Sequence, residues 1–114
     1  MSDISIDDQT GHLFRVDKFV VPASGREEFL SRVAQTHAVL RAQDGFVRDV
    51  ILEQQSGPGE FNFVTLVEWS DPDVLDHVTA EVASMHERIG FNPRETIDRL
   101  GIRADIANYR SLDL

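Results

Sequence analysis

The stretch FNFVTLVEWSDPD, Phe61–Asp73, decides the fold of this chain of 114 residues. It is rich in Phe, Val and Leu up to Trp69, the only tryptophan, and this composition predicts a strand. Asp71 and Pro72 follow at once, and an aspartate cap before a proline is typical of a helix start. The stretch therefore predicts a strand that passes directly into a helix.

A second informative stretch is AQDGFV, Ala42–Val47. Gly45 can take the left-handed conformation that ends a helix, and Phe46 opens a strand. Two consecutive strands between two helices are the centre of a β-α-β-β-α-β chain. We therefore predict a ferredoxin-like α+β sandwich, with two main helices on one face of a four-stranded antiparallel sheet.

The other elements follow from similar signals. In chain order we predict a flexible tail over residues 1–11, a strand over His12–Val21, a helix from Ser24 to about Gln43, strands over Phe46–Gln54 and Phe61–Trp69, a helix from Asp71 to Gly90, a short extra helix from Asn92 to Gly101 and a strand over Ile102–Leu112. Ser24 and Glu27 form a capping-box pattern, in which the serine accepts a hydrogen bond from the amide of Glu27. Residues 12–114 are expected to form one domain.

The composition excludes several classes of function. The net charge of −9 disfavours nucleic acid and anionic membranes as partners, because both require a basic surface. The absence of cysteine excludes thiolate nucleophiles and cysteine-based metal sites. The sequence MSDISIDDQTG lacks the pattern of a signal peptide, and no apolar run has the length of a membrane span. We expect a cytoplasmic protein.

The two central strands carry apolar residues on both sides. Strict alternation places Phe61, Phe63, Val67 and Trp69 on one face and Val64 and Leu66 on the other, and it places Phe46, Val50 and Leu52 opposite Val47 and Ile51. Two helices cover only one face of a sheet, so the second face needs a partner. We expect a homodimer with the sheets face to face; single apolar residues tolerated on the surface of a monomer are the alternative.

His37 is the first candidate for chemistry. It follows Val33 by four residues and Phe29 by eight, so it should point between helix and sheet, where an imidazole could act as a general base. The alternative is a core histidine that hydrogen-bonds a backbone carbonyl or a strand side chain such as Thr65. The sequence leaves both open.

His86 is the second candidate. It follows Met85 on the second helix, whose apolar face is predicted to comprise Val74, Val78, Val82, Met85 and Ile89. His86 could flank the same cavity or ligate a haem iron, or it could be a cation near a helix end. The spacing of His77 and His86 does not match the i, i+4 pattern of paired metal ligands, so we expect no metal site.

Three residues of the third strand are expected to contact a substrate: Phe63, Thr65 and Trp69. Trp69 could stack on a planar ligand, although a large aromatic residue at the end of a strand is more often core or interface. Thr65 would place a hydroxyl on an otherwise apolar face, with either a local partner or a ligand. No Gly-rich loop precedes a helix, which argues against a dinucleotide or phosphate site.

Taken together, these residues resemble the antibiotic biosynthesis monooxygenase family over roughly residues 12–112. The matching features are Val20-Val21-Pro22 at the end of a strand, the helix opening Arg26-Glu27-Glu28-Phe29-Leu30, the turn Asp44-Gly45-Phe46-Val47 and the segment Thr65–Asp73 with Trp69. The resemblance implies a dimeric α+β barrel. It also implies an oxygenase that acts on a hydroquinone or anthrone with molecular oxygen and without flavin, metal or haem.

On that resemblance His37 is the base, Thr65, Trp69 and Phe63 orient the substrate, and His86 is a second catalytic polar group. The family's polyketide oxygenases carry asparagine at the position of Thr65. Its haem-degrading members carry a first-strand asparagine, where this chain has Asp17, and a second tryptophan that this chain lacks. A non-catalytic dimeric domain that binds a small ligand or a protein stays open as the alternative, and a haem-binding protein as a third.

Overall fold

The computed structural model describes residues 11–114. The predicted tail lies outside the described residues except for Gly11. The elements are β1 (Leu13–Val20), α1 (Arg26–Arg41), β2 (Phe46–Glu53), β3 (Phe63–Trp69), α2 (Leu75–Arg88), α3 (Pro93–Leu100) and β4 (Arg103–Tyr109). A 3-10 turn precedes each of α1 and α2, over Ala23–Gly25 and Pro72–Val74.

The four strands form one sheet in the order β2-β3-β1-β4, and each neighbouring pair is antiparallel. The predicted ferredoxin-like α+β fold with a short extra helix is therefore confirmed. We call the side of the sheet that α1, α2 and α3 pack against the helix face and the other side the open face.

Two apolar clusters form the core on the helix face. Phe19, Phe29 and Phe63 pack in one, with ring centroids 5.0 Å apart for Phe19 and Phe29 and 5.1 Å for Phe29 and Phe63. Val67, Trp69 and Val78 form the other. Because β3 runs through both clusters, residues between Phe63 and Val67 lie where the two meet.

The predicted caps at Asp71 and Asn92 are both present: Asp71 caps the 3-10 turn that leads into α2, and Asn92 caps α3. The Asp71 carboxylate accepts from the amide of Asp73 at 2.9 Å, and the Asn92 side chain accepts from the amide of Glu95 at 3.1 Å. These caps depend only on residues two or three positions away, so a local pattern is enough to predict them.

The prediction of a capping box at Ser24 was wrong. The chain enters α1 through the 3-10 turn, the amide of Gly25 donates to the carbonyl of Pro22 at 2.9 Å, and no side chain caps α1. Ser24 lies inside that turn and not before the helix, so its hydroxyl does not meet the first free amides of α1.

Other boundaries also differ from the prediction: β4 ends at Tyr109 and not at Leu112, and α2 begins at Leu75, after the 3-10 turn, and not at Asp71. β3 begins at Phe63 and not at Phe61, because the Asn62 side chain bonds both the amide and the carbonyl of Val21 at 2.8 Å. Ile89, predicted on the apolar face of α2, is 43% exposed, because the helix has ended at Arg88.

A β-bulge in β2 overturns the predicted faces of that strand. The ladder shifts between Phe46, which pairs with Trp69, and Arg48, which pairs with Glu68, so that Asp49 then pairs with Val67. The extra residue reverses the alternation. Phe46, Asp49 and Ile51 therefore share the helix face, and Val50 and Leu52 lie on the open face, contrary to the simple alternation.

Candidate active site

A cavity lies between the helices and the sheet, where the two core clusters meet. It consists of two adjoining parts, which we call the Phe91 lobe, about 270 Å³, and the Trp69 lobe, about 250 Å³. Five residues line both lobes: Arg15, Asp17, Thr36, His37 and Thr65. All five are polar, and apolar side chains line most of the remainder. Such a cavity suits a small, mostly apolar ligand with a polar centre.

His37 is held in this shared section by a carboxylate. It projects from α1, is 5% exposed, and its Nδ1 lies 2.9 Å from Oδ2 of Asp49. The same oxygen accepts from Nε of Arg41 at 2.8 Å. Since a carboxylate can only accept, Nδ1 carries the proton, and in the neutral ring Nε2 keeps a lone pair. Nε2 has no partner among the described residues, so it is available to take a proton from a ligand.

The ionisation of Asp49 supports this arrangement. Burial would raise the pKa of its carboxyl, but the hydrogen bonds from His37 and Arg41 outweigh burial and hold the pKa below its ordinary value. Asp49 is therefore a carboxylate at neutral pH. It fixes the orientation of the ring and stabilises the imidazolium that forms when His37 accepts a proton.

Asp49 and Arg41 are the functional residues that sequence reasoning missed. Strict alternation from Phe46 would place Asp49 on the open face, away from His37, and only the bulge turns it to the helix face. The signal that could have pointed to it is the lone acidic residue in the strand segment Val47–Ile51, which otherwise contains apolar side chains and Arg48.

Thr65 faces His37 across the shared section. It is 3% exposed and lines both lobes. On the neighbouring strand Asp17 pairs with Thr65 in the ladder, and Arg15 Nε donates to Oδ1 of Asp17 at 2.7 Å. The floor of the section therefore offers a hydroxyl and an internal ion pair.

His86 lies in the Phe91 lobe. Its Nε2 is hydrogen-bonded to the hydroxyl of Thr36 at 3.2 Å, and its ring packs edge-on against Phe91 with centroids 4.9 Å apart. Burial lowers the pKa of His86 and the charge of Arg32 lowers it further, so the ring is mostly neutral at pH 7. The bond to Thr36 occupies the nitrogen that a haem iron would otherwise approach.

The two predicted aromatic contacts occupy different places. Trp69 lines the Trp69 lobe and packs edge-on against Phe46 with centroids 5.9 Å apart. Phe63 is 2% exposed, lies in the aromatic core beside Phe29, and is not among the residues that line either lobe. The structure thus brings His37 and Thr65 together at the shared section, with His86 in one lobe and Trp69 in the other.

Within residues 11–114 no group of three or more His, Cys, Asp or Glu side chains is placed to hold a metal ion. In the same part of the chain no helix is both long and apolar enough to cross a bilayer.

Similarity to known proteins is found in structure alone. No protein-family model matches the sequence, and no curated protein matches it. Among solved structures, SnoaB, a cofactor-independent oxygenase from Streptomyces nogalater, is similar with a TM-score of 0.67 at 20% identity, over 91% of this chain and 96% of that one. A Deinococcus radiodurans protein provisionally named an antibiotic biosynthesis monooxygenase is similar with a TM-score of 0.66 at 14% identity. The match covers 90% of this chain and 94% of that one.

MhuD, solved with two manganese protoporphyrin IX molecules per active site, is similar with a TM-score of 0.67 at 16% identity, over 90% of this chain and 97% of that one. At these identities the likenesses establish the ferredoxin-like fold, which this chain shares with these three proteins.

Proposed function

We propose that this protein is a cofactor-independent monooxygenase of the antibiotic biosynthesis monooxygenase type. Its substrate would be a small planar aromatic that loses a proton easily, such as a hydroquinone or an anthrone. The observation that carries the proposal is the His37–Asp49 pair at the section where the two lobes meet. The similarity to SnoaB, a cofactor-independent oxygenase, supports the reaction type.

In the proposed reaction Nε2 of His37 removes a proton from the substrate. The resulting anion gives one electron to molecular oxygen, and the substrate radical and superoxide then combine to form a carbon–oxygen bond. The resulting peroxide anion takes the proton back from Nε2 of His37. The hydroperoxide then loses water and leaves a carbonyl group, so one oxygen atom enters the product and the other enters water. The protein supplies the base, the apolar slot and hydrogen bonds to the anion.

The other residues have supporting roles in this proposal. The hydroxyl of Thr65 donates to the developing oxyanion, and Trp69 provides a planar wall for the Trp69 lobe. His86, neutral at pH 7, is a second polar group that can donate or accept a proton in the Phe91 lobe. Phe63 supports the cavity from the core, and its expected direct contact with substrate stays a prediction.

The experiment is oxygen uptake by metal-free protein offered a panel of hydroquinones and anthrones. We expect uptake above the spontaneous rate for at least one compound, and about 10²- to 10⁴-fold less catalysis in His37→Ala, because a positioned base contributes that much. His77→Ala is the matched control, since His77 is an exposed histidine on α2. A binding domain without catalytic activity would instead bind members of the panel and consume no oxygen.

We also propose that the protein is a homodimer that pairs through the open face. That face exposes Leu52 and Tyr109, which are 53% and 44% exposed. Its buried carboxylate, Glu68, is already paired with His12 at 2.7 Å and Arg48 at 2.8 Å. A partner could therefore cover this region of the face without leaving that charge unpaired.

A further inference from the structure

We infer that the substrate of this cavity carries an anionic group, a carboxylate on the aromatic ring system, and that Arg32 binds it in the Phe91 lobe. This inference rests on the proposed function, because it takes the aromatic substrate to be the ligand of the cavity. It adds to that function the charge of the substrate and the residue that selects it.

The charge of the cavity wall is the first observation. The fully charged side chains that line the Phe91 lobe are two arginines and one aspartate: Arg15, Arg32 and Asp17. Asp17 is already paired with Arg15 at 2.7 Å. The lobe therefore has an excess positive charge, although the whole chain has a net charge of −9. An excess cation inside an acidic protein favours an anionic ligand.

The second observation is that Arg32 is half-buried and forms no ion pair with another described residue. Its side-chain hydrogen bond is from Nη1 to the neutral amide oxygen of Gln35, at 3.1 Å. The charge of Arg32 helps to lower the pKa of the Glu28 carboxyl. The hydrogen bonds to that carboxylate, however, come from Arg99, at 2.6 and 3.1 Å. The charge of Arg32 therefore lacks a protein counter-ion in the described part of the chain.

The third observation is that Arg32 is held in place. Its guanidinium carbon lies 4.3 Å from the centroid of the Phe91 ring, and that ring in turn packs edge-on against His86 with centroids 4.9 Å apart. A guanidinium stacked on an aromatic ring keeps its in-plane N–H groups free. Nε and Nη2 of Arg32 can thus donate to both oxygens of a carboxylate, with the Thr36–His86 pair beside them.

The test uses two unreactive ligands, 9,10-anthraquinone-2-carboxylate and the neutral 9,10-anthraquinone-2-carboxamide, in fluorescence-quenching titrations. Their shapes match and their charges differ. We expect the wild-type protein to bind the carboxylate about tenfold more tightly, or better, because a charge-assisted hydrogen bond contributes that much affinity. In Arg32→Gln the two affinities should become equal, with that of the carboxamide unchanged.

Two variants control the assignment. Arg94→Gln removes an exposed arginine of α3 that lines neither lobe, and it should keep the preference. Arg15→Gln should reduce the preference less than Arg32→Gln, because Asp17 already compensates Arg15. Equal wild-type affinities, or a preference that persists in Arg32→Gln, would overturn the inference. Because neither ligand reacts, the result is independent of whether the protein consumes oxygen.

Discussion

At the scale of single residues, the proposed reaction depends on the hydrogen bond between His37 and Asp49. His37 touches the cavity, and Asp49 acts through it by fixing which ring nitrogen carries the proton. Arg41 holds the same carboxylate oxygen from the solvent side of α1. Asp49 is therefore a positioning residue, and its replacement should affect both the reaction and the fold.

The Asp49→Asn variant tests this role. An amide can turn its NH₂ group toward His37, which would leave the imidazole in the wrong tautomer, and it loses the charge that Arg41 binds. We expect slower oxygen uptake with a shifted pH profile, and a free energy of unfolding lower by about 1–3 kcal/mol, from chemical denaturation. Asp44→Asn, at an exposed position of the preceding turn, is the control and should leave both unchanged.

His86 predicts a pH dependence of stability. Its pKa in the folded protein is lowered from 6.5, so near and below pH 6.5 the unfolded chain binds more protons than the folded one. His86 therefore contributes stability above pH 6.5, and this contribution is lost as the pH falls through the lowered value. Urea denaturation of wild type and His86→Gln from pH 8 to pH 5 should show the wild type losing more stability on acidification. Parallel profiles would contradict the lowered pKa.

At the scale of elements, the parts that depend on near neighbours could be predicted from the sequence and the parts that depend on pairing could not. The caps Asp71 and Asn92 and the left-handed glycines Gly45 and Gly101 act through residues a few positions away. The β2 bulge depends on how that strand aligns with β3. The bulge brings Asp49 to His37, so the fold was predictable from the sequence and the His37–Asp49 pair was not.

Gly45 joins α1 to β2 and gives an element-scale prediction. Its φ is 87°, and a Cβ there would lie 3.0 Å from Cγ1 of Val74. Gly57 has φ 98° with nothing within 4 Å of a Cβ. Gly57→Ala should cost about 1–2 kcal/mol from the backbone alone. Gly45→Ala should cost about 1–3 kcal/mol more from crowding. If both variants lose the same free energy of unfolding in thermal or chemical denaturation, the Val74 side chain moves aside at no measurable cost and the crowding argument is wrong.

At the scale of the whole molecule, the helix face and the open face of the sheet differ in what covers them. The helix face contains the two apolar clusters and, between them, the polar section of the cavity. The sequence predicted apolar residues on both sides of the central strands. This is correct for β3, where Val64 and Leu66 lie on the open face and Val67 lies on the helix face. The two-lobed shape of the cavity was not predictable, because it arises from how three helices are spaced over the sheet.

The proposed dimer gives a whole-molecule prediction with a matched control. Leu52 lies on the open face and is 53% exposed, whereas Ile106 lies on the helix face of β4 and is 50% exposed. Leu52→Lys should convert the dimer into a monomer in sedimentation velocity, because it places a charge in the interface. Ile106→Lys should leave the dimer intact. Dissociation by Ile106→Lys alone would place the interface elsewhere.

The most direct test of the central claim is chemical rescue of His37→Ala by free imidazole, measured as oxygen uptake with the best substrate of the panel. If His37 is the base, the variant should lose most of its activity and regain part of it as imidazole is added, with the neutral form of imidazole as the active species. The same imidazole should have no effect on wild type. If His37→Ala is as active as the wild type without imidazole, then His37 is not the base.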